Sequence, residues 1–222
     1  MTHQNSMDAE LLARSALDVH ESQHVFSVLM SALSRPGEIL RLEASLSARI
    51  NVGLLPLLAL AGHRTPFAVI GLDETNEATA VALTTGGIRV SAAEADFVAL
   101  TSPTDAGRVR AVLADVRTGT DATPHTAAQV SITWPGSLRN GPAGAGGLRL
   151  RFRGPGIKEH VIVSLDCTDE LVTALVEARA SVFPLGFDVW LIDEAGQVIG
   201  IPRTTVITIV DETEPEYQAR RI

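Results

Sequence analysis

Phe183-Pro184-Leu185-Gly186-Phe187-Asp188-Val189-Trp190-Leu191-Ile192, then after a short polar turn Ile199-Gly200-Ile201-Pro202-Arg203-Thr204-Thr205, are the two runs on which the fold turns. The apolar segments 183–192 and 197–201 bracket Glu194-Ala195-Gly196, so they are expected to close a buried β-hairpin. The second run breaks into Pro202-Arg203-Thr204-Thr205, which would deliver a cation and two hydroxyls to one end of a sheet. Outward from this hairpin, 168–180 has the apolar spacing of an amphipathic helix with Thr168 as its cap. The runs 160–165, 148–153 and 129–134 read as strands. The glycine-rich segment 136–147 lies between two of them and is expected to be a mobile surface loop.

The first half alternates. Ser22 is read as the N-cap of a helix carrying Val25, Phe26, Leu29, Met30 and Leu33 on its apolar face, stopped by Pro36-Gly37. A strand follows at 38–42. Next comes an almost wholly apolar helix at 51–61, in which Pro56 must occupy the first turn or kink the element. A strand at 66–71, a helix at 74–84, a strand at 97–100 and a helix near 105–115 continue the alternation. The expected class is α/β, a mixed sheet flanked by helices in three layers.

With 222 residues and 45% hydrophobic content, one continuous core is the expectation. The chain is divided into an extension at 1–20, a single α/β domain at 21–210 and a flexible, charged tail at 211–222. A net charge of −8 argues against nucleic acid as a partner, because binding a phosphate backbone needs a surplus of Lys and Arg on one face. Cys167 is the sole cysteine, which excludes an intramolecular disulfide and fits a reducing compartment. The first residues show no basic-then-apolar leader, and no window reaches membrane-spanning length, so a cytoplasmic protein without a membrane partner is expected.

His20-Glu21-Ser22-Gln23-His24 matches the H-E-x-x-H zinc pattern, yet helical geometry turns both histidines away from the apolar face, and no third ligand lies near. It is read as a match on a solvated helix face, and no metal is assigned. The chain has no G-x-S-x-G elbow, and Cys167 has no histidine near it in sequence. Gly144-Ala145-Gly146-Gly147 leads into a strand pattern, which a dinucleotide fingerprint would not. No catalytic residue is assigned.

What remains could hold an anion: Arg35 with Gly37, the Gly154 to Gly156 turn, Asp188, and Arg203 with Thr204 and Thr205. Glycine turns expose backbone N–H groups, arginine offers a fork of donors, and adjacent hydroxyls complete a cradle for a small anionic ligand. The alternative is structural. The arginines would pair with carboxylates, Gly37 and Gly156 would serve positive backbone angles, and Asp188 would cap a neighbour. The structural or interface role is the preferred expectation.

Gln23-His24-Val25-Phe26, Leu29-Met30-Ser31-Ala32-Leu33-Ser34-Arg35-Pro36-Gly37-Glu38-Ile39, Thr118-Gly119-Thr120, Gly154-Pro155-Gly156-Ile157 and the hairpin runs follow in an order that resembles the PhnH family, the H subunits of the carbon-phosphorus lyase system, over about 22–210. The resemblance implies a homodimer with a fold similar to pyridoxal-phosphate-dependent transferases but without that cofactor's lysine. Lys158, the sole lysine, follows a glycine turn and is read as a surface residue. It further implies an accessory, non-catalytic subunit that needs no cofactor. Its sister carbon-phosphorus lyase subunits would attach a phosphonate to the ribose of ATP with loss of adenine. The rival reading is a stand-alone small-molecule enzyme, or a phosphonate- or phosphate-binding protein, using Arg35, Asp188 and Arg203 in a cleft.

Overall fold

Side chains alternate across three parallel strands and find an apolar layer on each side. The computed structural model describes residues 12–144 and 147–211. In β2 (Pro66–Ile70), β4 (Phe97–Leu100) and β5 (Gln129–Trp134), Ala68, Val98, Leu100, Val130 and Ile132 face one core cluster, while Phe67, Val69 and Ala99 face another. Burial on both faces explains why these strands read as nearly continuous apolar runs. The remaining strands of this sheet are β1 (Leu40–Arg41), β3 (Ile88–Arg89), β9 (Asp188–Asp193) and β10 (Gln197–Ile201), and the order is β1-β10-β9-β5-β4-β2-β3. From β9 to β3 neighbouring strands are parallel, whereas β10 and β1 are antiparallel additions, so the sheet is mixed as expected.

One face is covered by α1 (Val19–Ser34), α2 (Ala44–Arg49), α3 (Leu55–Leu60) and α4 (Glu74–Thr85). The other is covered by α5 (Ala106–Asp115), α6 (Asp169–Ser181) and a second, antiparallel sheet of order β11-β7-β8-β6. That sheet comprises β6 (Leu138–Arg139), β7 (Gly147–Arg153), β8 (Val161–Asp166) and β11 (Val206–Val210). The Pro202 to Thr205 link is therefore the point where the chain leaves the large sheet for the small one.

The hairpin seats α1. Gly200 and Trp190 are register partners on β10 and β9. A Cβ on Gly200 would lie 2.4 Å from the Ala32 carbonyl carbon, so any side chain there would push α1 off the strand. The Trp190 Nε1–H donates to the Leu29 carbonyl at 3.1 Å, pinning the same helix from the neighbouring strand. Strand β5 grips the other side of this layer through two polar residues, Ser131 and Thr133. Ser131 Oγ donates to Gly53 O at 2.6 Å, and Thr133 Oγ1 donates to Asn51 Oδ1 at 2.6 Å. Gly53 is the central residue of the short 3₁₀ turn Val52–Leu54 that precedes α3, and Pro56 falls in the first turn of α3, where its missing N–H costs nothing.

Four expectations need correction. Helix α1 begins at Val19, not after Ser22, because Asp18 and Glu21 form a reciprocal capping box. Of its expected apolar face, Phe26 and Met30 stand 48% and 47% exposed, and Ala32 takes their place inside. Strand β9 begins only at Asp188, since 183–187 is the turn that brings the chain from α6 to the sheet. The 136–147 segment is not a free loop. It contributes β6, and the Gly144 N–H donates to Asp166 Oδ1 at 2.7 Å while Arg139 pairs with Asp166 at 2.7 Å. Residues 145–146 lie outside the described residues, as do 1–11 of the expected extension and 212–222 of the expected tail.

Candidate functional site

Asp188 opens β9 and Arg203 follows β10, so the antiparallel register brings them together at the amino edge of the parallel strands. The Arg203 backbone N–H donates to Asp188 Oδ1 at 2.8 Å and its Nη2 to Oδ2 at 3.2 Å, while its Nη1 donates to the Pro124 carbonyl. Arg117 makes a parallel arrangement nearby, with Nε on Thr126 O at 2.7 Å and Nη2 on Asp96. Both guanidiniums tie the loop around 124–126 to the sheet edge.

The remaining candidates separate. Arg35 pairs with Glu38 at 3.0 Å on the exposed surface, which contributes at most about 1 kcal/mol. The glycines serve close approach. Gly37 (φ 81°) would bring a Cβ within 3.0 Å of Val161, Gly156 (φ 83°) within 3.2 Å of Ser34 O, and Gly154 within 2.9 Å of Thr204 O. The Gly154 to Gly156 turn is thus wedged between the end of α1 and the Thr204-Thr205 link. Thr204 is exposed, whereas Thr205 is buried with no partner for its Oγ1.

Sequence reasoning missed Arg179. Its side chain is buried, with Nη1 on Phe187 O at 2.8 Å and Nη2 on Pro202 O at 2.6 Å. Burial pulls its pKa down to about 10, with the charge of Asp188 opposing the shift. The signal was present in the spacing. Leu171, Leu175 and Arg179 fall four apart on α6, which puts the arginine on the buried face.

A second polar constellation occupies the carboxyl edge, where open α/β sheets place their ligands. Asn51 Nδ2 donates to Glu77 Oε1 at 3.1 Å and to Thr101 O at 3.1 Å, and Thr101 Oγ1 donates to Glu77 Oε2 at 2.5 Å. Burial pushes the Glu77 carboxyl up, against the two hydrogen bonds that favour its charged form. The adjoining cavity, between Gly71-Leu72 and Ser102 to Asp105, holds about 70 Å³, room for about two water molecules.

The other motifs fall elsewhere. Glu21 is engaged by the α1 cap and by Arg49 at 2.8 Å, which takes it away from the role of a water-activating base. His20 is exposed. His24 is half-buried with Nε2 inside and unpartnered, so it does not point wholly to solvent as expected. Burial raises the Cys167 thiol, which lowers its thiolate fraction and its reactivity. Lys158 is exposed. Among the described residues no group of three or more His, Cys, Asp or Glu could hold a metal ion, and no helix is long and apolar enough to cross a membrane.

Fold and site together define an α/β domain with an appended antiparallel sheet and an arginine-latched edge. The chain belongs to the PhnH family, described as bacterial phosphonate metabolism protein, which matches residues 14–208. The resemblance read from the short motifs is borne out by this match, and with it involvement in phosphonate metabolism. No curated protein matches the chain significantly.

Proposed function

We propose that this chain is an accessory, non-catalytic subunit of the carbon-phosphorus lyase assembly. It folds on a scaffold related to the pyridoxal-phosphate-dependent transferases, pairs as a homodimer in the cytoplasm and docks onto sister subunits that carry out the chemistry. On this reading it is a single working domain at 21–210. One observation carries the reading: Asp188 and Arg203, the charged pair of the family-like hairpin, close on each other and on the Pro124 carbonyl, while Gly37, Gly154 and Gly156 act as spacers between packed turns. Residues that hold a fold together in this way suit a subunit whose surface, not its side-chain chemistry, is the functional part.

The rival, a stand-alone enzyme or binder using Arg35, Asp188 and Arg203, needs those groups to converge on a cleft. Arg35 instead pairs with its own neighbour Glu38. Co-expression with the sister subunits tests the reading, and a stable co-purifying complex is the expected result. Turnover of an alkylphosphonate by the isolated chain would overturn it.

A further inference from the structure

Between α6 and β11 lies a cavity of about 200 Å³ lined by Arg179, Ala180, Phe183, Thr205, Val206 and Ile207. Arg179 and Thr205 are 6% and 2% exposed, and each carries a buried polar atom with no partner, Nε and Oγ1 respectively. Buried donors in folded proteins are nearly always paired, so two orphans in side chains that line one cavity call for an explanation. Charge sharpens the point. The terminal nitrogens of Arg179 donate only to neutral carbonyls, and the carboxylate that acts on it, Asp188, already holds Arg203. Two guanidiniums share one carboxylate, which leaves this region an excess positive charge in a poorly hydrated setting. The other walls, Ala180, Phe183, Val206 and Ile207, offer hydrocarbon.

We propose that this cavity binds a small organophosphonate, its anionic oxygens accepting from Arg179 Nε–H and Thr205 Oγ–H and its organic substituent lying against Phe183, Val206 and Ile207. The choice of phosphonate over another organic anion rests on the phosphonate-metabolism reading. A cavity of about 150 Å³ is enough for a benzene ring, so a phenyl- or butyl-sized substituent fits. Both donors are closed to water, and Phe183, a lining residue 49% exposed, would have to turn aside for the head group to reach them. The ligand would bind without reacting, in keeping with an accessory subunit that senses or hands on its substrate.

Calorimetric titration of the full chain with phenylphosphonate, benzoate and inorganic phosphate tests this. The expected result is saturable binding of phenylphosphonate, with the other two at least tenfold weaker, benzoate for its lesser charge and phosphate for its missing substituent. Arg179 variants risk the fold, so two gentler changes are used. Thr205→Val, which keeps the shape and removes the hydroxyl, should weaken phenylphosphonate about tenfold. Ala180→Leu, which fills the cavity, should abolish binding with the circular dichroism spectrum unchanged. No saturation by phenylphosphonate, or binding indifferent to both variants, overturns the proposal. Growth of a deletion strain on a phosphonate as phosphorus source separates the two levels. If the wild-type gene restores growth while its product binds no phosphonate, the cavity proposal fails and the functional reading stands. Benzoate bound as tightly as phenylphosphonate, with no growth restored, leaves an organic-anion cavity but removes phosphonate as its ligand and with it the functional reading.

Discussion

The two edges of the large sheet solve the same problem with different chemistry. At the amino edge Arg117, Arg179 and Arg203 donate to the carbonyls of Thr126, Phe187, Pro202 and Pro124, so cations hold loop backbone that has no strand to pair with. At the carboxyl edge the work is done by neutral groups around one carboxyl, with Glu77 joining α4 to Asn51 and Thr101, and Asn51 in turn joining the 3₁₀ turn to Thr133 on β5. Arginine suits the first task because a single planar fork reaches two acceptors on different segments. The second edge needs a short side chain with both a donor and an acceptor, which is what Asn51 supplies. The difference teaches that a conspicuous cation at a strand end is weak evidence for an anion site until its carbonyl acceptors have been counted.

The largest test of that contrast is Arg179→Met. It keeps much of the packing but leaves Phe187 O buried without a donor, at about 1–3 kcal/mol, and takes one of two donors from Pro202 O, which keeps the Thr205 N–H at 2.9 Å. Urea unfolding should show a loss of about 2–4 kcal/mol. A loss under about 1 kcal/mol would mean that the carbonyls find other donors and that the amino edge is not held by this arginine.

The carboxyl-edge counterpart is Gly53→Ala. The Gly53 N–H is shared between Asn51 Oδ1 and Thr133 Oγ1, both at 3.1 Å, and a Cβ would fall 2.5 Å from Thr133 Oγ1. The hydroxyl must swing away and surrender its bonds, so a destabilisation of about 2 kcal/mol is expected. A double-mutant cycle with Thr133→Ala should show much of that cost vanishing, since the clash and the bonds are then already gone. Additive effects would mean that the clash falls on backbone and not on the hydroxyl.

Arg203→Ala should cost less, about 1–2 kcal/mol, because the pair with Asp188 is partly exposed and Asp188 keeps the Arg203 backbone N–H. The fold survives, so this variant also reports on function. Lost co-purification with the sister subunits at unchanged secondary structure fits an interface role for this edge. Unchanged assembly with weakened phosphonate binding would move the residue into a ligand site.

How much of this was legible follows the range of the interaction. The hairpin could be read because both strands and the Glu194-Ala195-Gly196 turn lie within one stretch, and Gly196 takes the positive φ (78°) that such a turn asks for. Strand β4 falls at 97–100 as expected, since burial on both faces leaves an uninterrupted apolar run. The 183–187 turn was misread because Phe183, Leu185 and Phe187 alternate like a strand, and nothing local shows that the Phe187 carbonyl is held by Arg179. Asp188 and Arg203 stand out in the sequence as separate candidates for an anion-binding or interface role, yet the acceptor that defines the arginine's job, Pro124 O, is 79 residues away in sequence. Asn51 and Glu77 carried no motif at all. They meet only because a 3₁₀ turn and a helix are folded against the ends of β4 and β5.

Glu77→Gln gives the smallest effect and the one that best separates the edges. Burial raises the folded-state pKa of Glu77 above its ordinary value near 4.5, so between the two values the folded state binds more protons than the unfolded one. Stability contributed by this group is therefore fully present below the unfolded pKa, falls as pH rises through the folded pKa, and stays low above it. Glutamine has no proton to lose, so the variant should not show that decline. Measured by urea unfolding, its stability relative to wild type should improve from pH 4 to pH 7.5, by less than the losses above. The amino-edge variants should show no such slope from their arginines, because even the depressed pKa of Arg179, about 10, lies well above this window. A wild-type chain that gained stability relative to Glu77→Gln as the pH rose would mean that the Asn51 and Thr101 hydrogen bonds outweigh burial. Glu77 would then be an ordinary ionised carboxylate, and the two edges would be alike in holding a fully charged group.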